Sequence, residues 1–182
     1  MTRACVLLAD GFEETEAVTL IDVLRRARVD VVTAGIRARR VTGSHAIPIE
    51  ADATLADVAH ETFDAVVLPG GMPGATHLRD DAGVRALVTA QHAAGRWVAA
   101  ICAAPIVLGA AGLLRGKRAT CYPGFESQLE GASVSTDPVV IDHRIMTSRG
   151  VGTALEMSLA LVRELVDATT ARKLGSAMLV AG

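Results

Sequence analysis

The strongest constraint on the fold is a series of short runs, rich in valine, leucine and alanine, that alternate with longer stretches of helical periodicity. A strand buried on one face alternates apolar and polar side chains. A run that is apolar at nearly every position must be covered on both faces, as parallel strands are when helices pack on either side of them. The chain is therefore expected to form an α/β sandwich with strands at Ala4–Ala9, Val29–Ala34, Ala65–Leu68, Trp97–Ile101, Ala119–Cys121 and Arg144–Thr147. Helices are expected at Thr15–Ala27, which carries Val18, Ile21 and Leu24 at helical spacing, at Val84–Ala94 between Gly83 and Gly95, and at Thr153–Val166. Arg39–Ile49 reads as a small hairpin with Gly43 and Ser44 near its tip, and Pro138–Arg144 as a second, irregular edge. With 182 residues, 51% of them hydrophobic, one domain over residues 1–182 can bury a core of its own.

Several function classes fall away on composition. A net charge of -2 and 3% aromatic residues argue against nucleic acid, whose binders use a basic face with stacking aromatics. Arg25, Arg26, Arg28, Arg37, Arg39 and Arg40 read as a solvated basic surface. The apolar run Ala4–Ala9 stops at Asp10, too short for a signal peptide or a membrane span, so no membrane association and a cytoplasmic location are expected. Cys5, Cys102 and Cys121 are odd in number and lack metal-ligand spacing, against a disulfide framework or a zinc site.

In open α/β sheets ligands bind beyond the carboxyl ends of the strands, and three unusual segments fall at such ends. They are Asp10-Gly11-Phe12-Glu13-Glu14-Thr15-Glu16, Pro69-Gly70-Gly71-Met72-Pro73-Gly74, and the turn at Cys102. Cys102 sits where the run from Trp97 ends and a helix opens at Pro105, with the small residues Ala100 and Ala104 two positions either side, the pattern of a nucleophile elbow. A thiol there would feel the positive end of the helix dipole, which favours thiolate. The alternative is a small buried hydrophobe, a frequent role of free cysteine. The acidic run could equally start a helix and complement its dipole. The glycine loop could equally be an ordinary turn. As a phosphate cradle it fares badly, because no Gly-Lys-Ser/Thr follows and Glu13, Glu14 and Glu16 would repel the anion.

Four segments in order resemble the DJ-one/ThiJ/PfpI superfamily, closest to its DJ-one/YajL branch: Ala-Asp-Gly-Phe-Glu-Glu-Thr-Glu at 9–16, Val-Leu-Pro-Gly-Gly at 67–71, Ala-Ile-Cys-Ala at 100–103 and Thr-Ser-Arg-Gly-Val-Gly-Thr at 147–153. The likeness runs from about Ala4 to Val180. It implies a flavodoxin-like three-layer sandwich, a homodimer, a reactive cysteine at Cys102 and a partner glutamate at Glu16, with no cofactor. Elementary electrostatics supports the pairing. An ionised carboxylate would raise the thiol pKa, whereas a desolvated, protonated Glu16 could donate a hydrogen bond to the thiolate, so that the two share one proton and one charge. The amides of Gly71 and Ala103 could both point at an oxygen on a carbon attacked by Cys102.

The resemblance implies glutathione-independent glyoxalase activity on small dicarbonyls such as methylglyoxal, and the related deglycase activity. The alternative is a redox-responsive, oxidative-stress protein in which Cys102 is oxidised to sulfinic acid beside Glu16. A holdase role has no sequence feature behind it. Two departures weigh against a thiol protease: the peptidase branch places a histidine directly after its cysteine, where this chain has Ala103, and many DJ-one relatives carry one where this chain has Tyr122. His45, His60, His77, His92 and His143 are expected at the surface. His45 stands apart, since its hairpin resembles a segment that reaches the partner's site in family dimers. Cys121 is expected as a buried strand thiol, Arg149 and Thr153 in structural hydrogen bonds, and Glu156 packed or paired locally.

Overall fold

The computed structural model describes residues 1–180; Ala181 and Gly182, the last two of the expected domain, lie outside the described residues. Along the chain run β1 (Arg3–Leu8), α1 (Glu14–Arg26), β2 (Asp30–Gly35), β3 (Arg40–Thr42), β4 (Pro48–Glu50), β5 (Ala53–Thr54), α2 (Leu55–Val58) and β6 (Ala65–Leu68). Next come α3 (Gly74–Asp80), α4 (Ala82–Ala93), β7 (Trp97–Ile101), α5 (Pro105–Ala110), β8 (Arg118–Ala119), β9 (Ser133–Val134), β10 (Val139–Asp142), β11 (Ile145–Ser148), α6 (Ala154–Leu165) and α7 (Ala168–Ala177).

Seven strands make one sheet in the order β10, β11, β7, β6, β1, β2, β5. All neighbours are parallel except β10, which runs antiparallel to β11. The central runs are apolar throughout because successive residues serve different faces. Cys5, Leu7, Val66, Leu68, Val98 and Ala100 pack toward α2, α3, α4 and α5. Ala4, Val6, Leu8, Val67, Ala99 and Ile101 pack toward α1, α6 and α7. The result is the flavodoxin-like arrangement, and the strand order reverses between β1 and β6, the place where such sheets bind ligands. The exits of β1, β6 and β7 lie side by side there. Among the described residues no helix is long and apolar enough to cross a membrane.

The hairpin at 39–49 forms as β3 and β4. Three expectations are corrected. Ala119–Cys121 is not a strand of the main sheet: Arg118–Ala119 pairs with Ser133–Val134 in a separate ribbon, after which the Thr120 amide donates to the Thr147 hydroxyl and the Tyr122 amide to the Cys102 carbonyl. Pro138–Arg144 is not irregular, because Val139–Asp142 pairs residue for residue with β11 as a regular edge strand. On α1 the inward stripe is Ala17, Leu20, Val23 and Leu24, while Val18 is 51% exposed, because the helix turns Glu16 rather than Val18 toward the sheet. Sequence periodicity also missed α3 and α7, the first short and glycine-led, the second rich in threonine, alanine and basic residues.

Leu24 is fully buried between α1 and the sheet. Leu24→Ala is expected to cost about 2–5 kcal/mol in urea unfolding, and a loss below about 1 kcal/mol would contradict this placement.

Candidate active site

The site is built by three strand exits. After β1 the chain turns at Gly11, whose amide donates to the Thr42 carbonyl, buries Phe12 completely, and enters α1 at Glu13. Glu13 caps the helix by accepting from the Glu16 amide at 2.7 Å, which fixes Glu16 in the first turn on the inward face, with no solvent exposure. Glu16 Oε2 accepts from the Gly70 amide at 2.9 Å, and Glu16 Oε1 is buried without a hydrogen-bond partner among the described residues.

The exit of β6 has to approach closely. A Cβ on Gly70 would lie 2.5 Å from Cys102 Cβ and 2.8 Å from Glu16 Oε2, so only glycine leaves room for that pair. Gly71 has φ +88°, and a side chain there would overlap the Glu13 amide. At the end of β7, Cys102 adopts φ +63°, a left-handed conformation that costs a non-glycine residue on the order of 1–3 kcal/mol and recurs at functional sites. It is held there by its amide donating to Ser148 and its carbonyl accepting from Tyr122, at 2.9 and 2.8 Å. Pro105 then opens α5. The structure thus brings together Cys102, Glu16, Gly71 and Ala103: the Gly71 and Ala103 amides and the Glu16 side chain all interact with the partly exposed thiol.

Burial dominates the electrostatics. Loss of water pushes the Glu16 carboxyl up to about 7, against the Gly70 amide, which lowers it, and with the Glu13 charge, which raises it further. Burial likewise pushes the Cys102 thiol up, and a negative Glu16 pushes it to about 12; the Gly71 and Ala103 amides pull the other way. Two negative charges in this space are therefore opposed at neutral pH, and the pair gives up its second proton only well above the first. The helix dipole plays a smaller part than the sequence suggests, because α5 has only six residues and burial beside Glu16 outweighs the amides that lower the thiol.

Sequence reasoning missed Glu14. Only 5% exposed, it accepts from the His45 amide at 2.6 Å, the Ile47 amide at 3.4 Å and the Ser44 hydroxyl at 3.4 Å, and contacts the His45 ring at 2.8 Å. It clamps the hairpin tip to the start of α1. Burial alone would raise this carboxyl, but the bonds from the His45 ring and the backbone amides bring it down to about 2. The Glu14 bond raises His45 in turn. Glu13, Glu14 and His45 present three potential metal-ligand atoms within 4.8 Å, but the Glu14 oxygens are already committed to the hairpin. The only hint in the sequence was the acidic run itself, read as a helix start.

The remaining candidates lie further out. His45, His60 and His143 are exposed, whereas His77 and His92 are half-buried on α3 and α4, against expectation; His77 bonds the Asp10 carbonyl at 2.8 Å. Cys121 is buried, in the loop after β8 rather than in a strand. Arg149 donates to the Thr136 carbonyl, Thr153 bonds Ser148 and Gly150, and Glu156 is exposed. A cleft of about 550 Å³ lined by Asp64, Arg96, Trp97 and Arg144 shares no residue with the Cys102 cluster.

A family model described as the DJ-1/PfpI family matches residues 2–164. The chain is 40% identical over 181 residues to Protein dj-1beta of Drosophila melanogaster, covering 98% of this chain and 97% of that protein. It is 36% identical over 165 residues to Glutathione-independent glyoxalase DJR-1.2 of Caenorhabditis elegans, covering 89% and 88%. It spans 38% and 45% of the length of two Arabidopsis thaliana relatives, Protein DJ-1 homologs B and A, each 41% identical to it. The crystal structure of Drosophila melanogaster DJ-1beta superposes with a TM-score of 0.96 at 40% identity, covering 100% of this chain and 99% of that one.

Because the folded pKa of Glu14, about 2, lies below its ordinary 4.5, its contribution to stability is present above pH 4.5 and is lost as the pH falls toward 2. Glu14→Gln is expected to lose about 3 kcal/mol at pH 7 in urea unfolding, with the gap to wild type closing in acid. A gap that persists unchanged to pH 2 would contradict the clamp.

Proposed function

The chain belongs to the DJ-1/PfpI family, and on that footing we propose that it is a cofactor-independent cysteine enzyme converting small reactive dicarbonyls to hydroxy acids, with Cys102 as nucleophile and Glu16 as proton shuttle. The observation that carries this reading is the fully buried Glu16 carboxyl beside the Cys102 thiol, the two separated only by the bare Cα of Gly70. One relative is named a glutathione-independent glyoxalase, which supports the same substrate class.

The chemistry rests on the shared proton. In the microstate with the charge on sulfur, the Cys102 thiolate adds to the aldehyde carbon of methylglyoxal, and Glu16 gives its proton to the new alkoxide, leaving a hemithioacetal and a carboxylate. That carboxylate takes the C–H proton from the carbon bonded to sulfur. The negative charge moves onto the former ketone oxygen, where the Gly71 and Ala103 amides offer hydrogen bonds. Glu16 returns the proton to the second carbon, and the hydroxyl proton on the sulfur-bearing carbon passes to the former ketone oxygen, giving a thioester of lactate. Water hydrolyses this to lactate and frees the thiol. No oxidant or reductant enters, because one carbon is oxidised as its neighbour is reduced. The same cycle on a protein-bound adduct would be the deglycase reaction. The assembly proposed is a homodimer, in the cytoplasm.

A second reading rests on Glu16 Oε1. This buried oxygen has no hydrogen-bond partner among the described residues, and when protonated it would have a donor to offer an oxygen on an oxidised Cys102, which would suit a redox-responsive protein. Selective gain of one or two oxygen atoms at Cys102 in intact mass after mild peroxide would favour it, and no selective gain would remove it.

Wild type is expected to produce lactate from methylglyoxal, detected by proton NMR. Cys102→Ser is expected to produce none, and Glu16→Gln to lose roughly 10²–10⁴-fold in rate while keeping the fold. Full activity in Glu16→Gln would overturn its role as shuttle, and no lactate from wild type would overturn the enzyme reading.

A further inference from the structure

Several large hydrophobic side chains are exposed to water among the described residues, and three of them stand on the backbone around the Cys102 sulfur. Met72, 46% exposed, lies two residues after Gly70, where a Cβ would come within 2.5 Å of Cys102 Cβ. Tyr122, 51% exposed, donates its amide to the Cys102 carbonyl at 2.8 Å. Val151, 46% exposed, follows Gly150, two residues beyond the Ser148 carbonyl that accepts from the Cys102 amide.

The Tyr122 ring is held in place. It lies against the Gly150 backbone, where a Cβ would meet its Cδ2 at 3.4 Å, and it packs edge-on to Phe125 with centroids 6.5 Å apart. Gly150 is itself tied down, its amide donating to the Thr153 hydroxyl and its carbonyl accepting from it. Exposed apolar groups on three separate loops that converge on one nucleophile have a use if the substrate brings an apolar group to cover them.

We propose that Met72, Tyr122 and Val151 form an apolar collar that selects dicarbonyls bearing an aromatic substituent over glyoxals bearing hydrogen or methyl. The collar rests on the reading of Cys102 as the nucleophile of a dicarbonyl enzyme. The two carbonyl carbons sit at sulfur level, within reach of Glu16 and the Gly71 and Ala103 amides, and the substituent extends outward between the Tyr122 ring and the two aliphatic side chains. An aromatic ring gains there from contact with Tyr122; methyl is too short to reach it.

Two readouts on wild type, Tyr122→Ala and Tyr122→Phe test this. The first is kcat/KM for phenylglyoxal relative to methylglyoxal. The second is the rate at which N-phenylmaleimide alkylates Cys102 relative to N-ethylmaleimide, read by mass and normalised to free cysteine. Cys5 and Cys121 are buried, so the label reports on Cys102. Both ratios are expected to favour the phenyl compound in wild type, to fall roughly three- to tenfold in Tyr122→Ala, and to be retained in Tyr122→Phe. Ratios that are the same in wild type and Tyr122→Ala overturn the collar. If neither dicarbonyl is turned over, the enzyme reading fails, and the maleimide ratio alone decides the collar, since alkylation requires only a reactive sulfur.

Discussion

Taking the Glu16 carboxyl out of water beside the Cys102 sulfur is the placement on which the rest of the site depends. An isolated buried carboxylate is costly enough that such a group changes its protonation instead. Glu16 does so in company: one oxygen receives the Gly70 amide, and its neighbour is a thiol that also cannot ionise freely while the carboxylate is charged. The consequence is a two-site, one-proton unit. The backbone around it biases where the charge resides, with amides from Gly71 and Ala103 on the sulfur side and from Gly70 on the carboxyl side.

The fold supplies this unit through close approach more than through special side chains. Three parallel strands end side by side at the reversal of strand order, and the segment after each is short or bare: a capped helix start after β1, two glycines after β6, and a left-handed residue after β7. Gly70 fits between Cys102 and Glu16 only because it has no Cβ. The positive φ of Cys102 is tolerated because neighbouring segments hold both its amide and its carbonyl. Glu14 acts close by, fastening the β3–β4 hairpin over the same helix start that presents Glu16.

Much of this was legible in the sequence because the signals were local. The runs at Ala4, Ala65 and Trp97 are apolar at every position, which only doubly covered strands require, and all three lie at the centre of the sheet. Cys102, Gly71, Ala103 and Glu16 stood at strand ends, and the structure places them within reach of one another. The features that were not legible depended on distant partners. Ala119–Cys121 has the composition of a strand, yet the Thr120 amide goes to the Thr147 hydroxyl and the Tyr122 amide to the Cys102 carbonyl. Val139–Asp142 looked irregular because an edge strand has little to bury. Glu14 and His45 are 31 residues apart, and no spacing rule connects them. On α1, polar Glu16 took an inward position that a hydrophobic count assigns to Val18.

The shared proton can be counted directly. A potentiometric titration of wild type between pH 3 and 10, minus that of the Cys102→Ala/Glu16→Gln double variant, gives the protons released by the pair alone. The account predicts one, because burial and mutual repulsion keep the second group from ionising in that range. An independent carboxyl and thiol with ordinary pKa values of about 4.3 and 8.5 would release two. Two protons would show that Glu16 and Cys102 titrate separately, and the mechanism built on their coupling would fall with it.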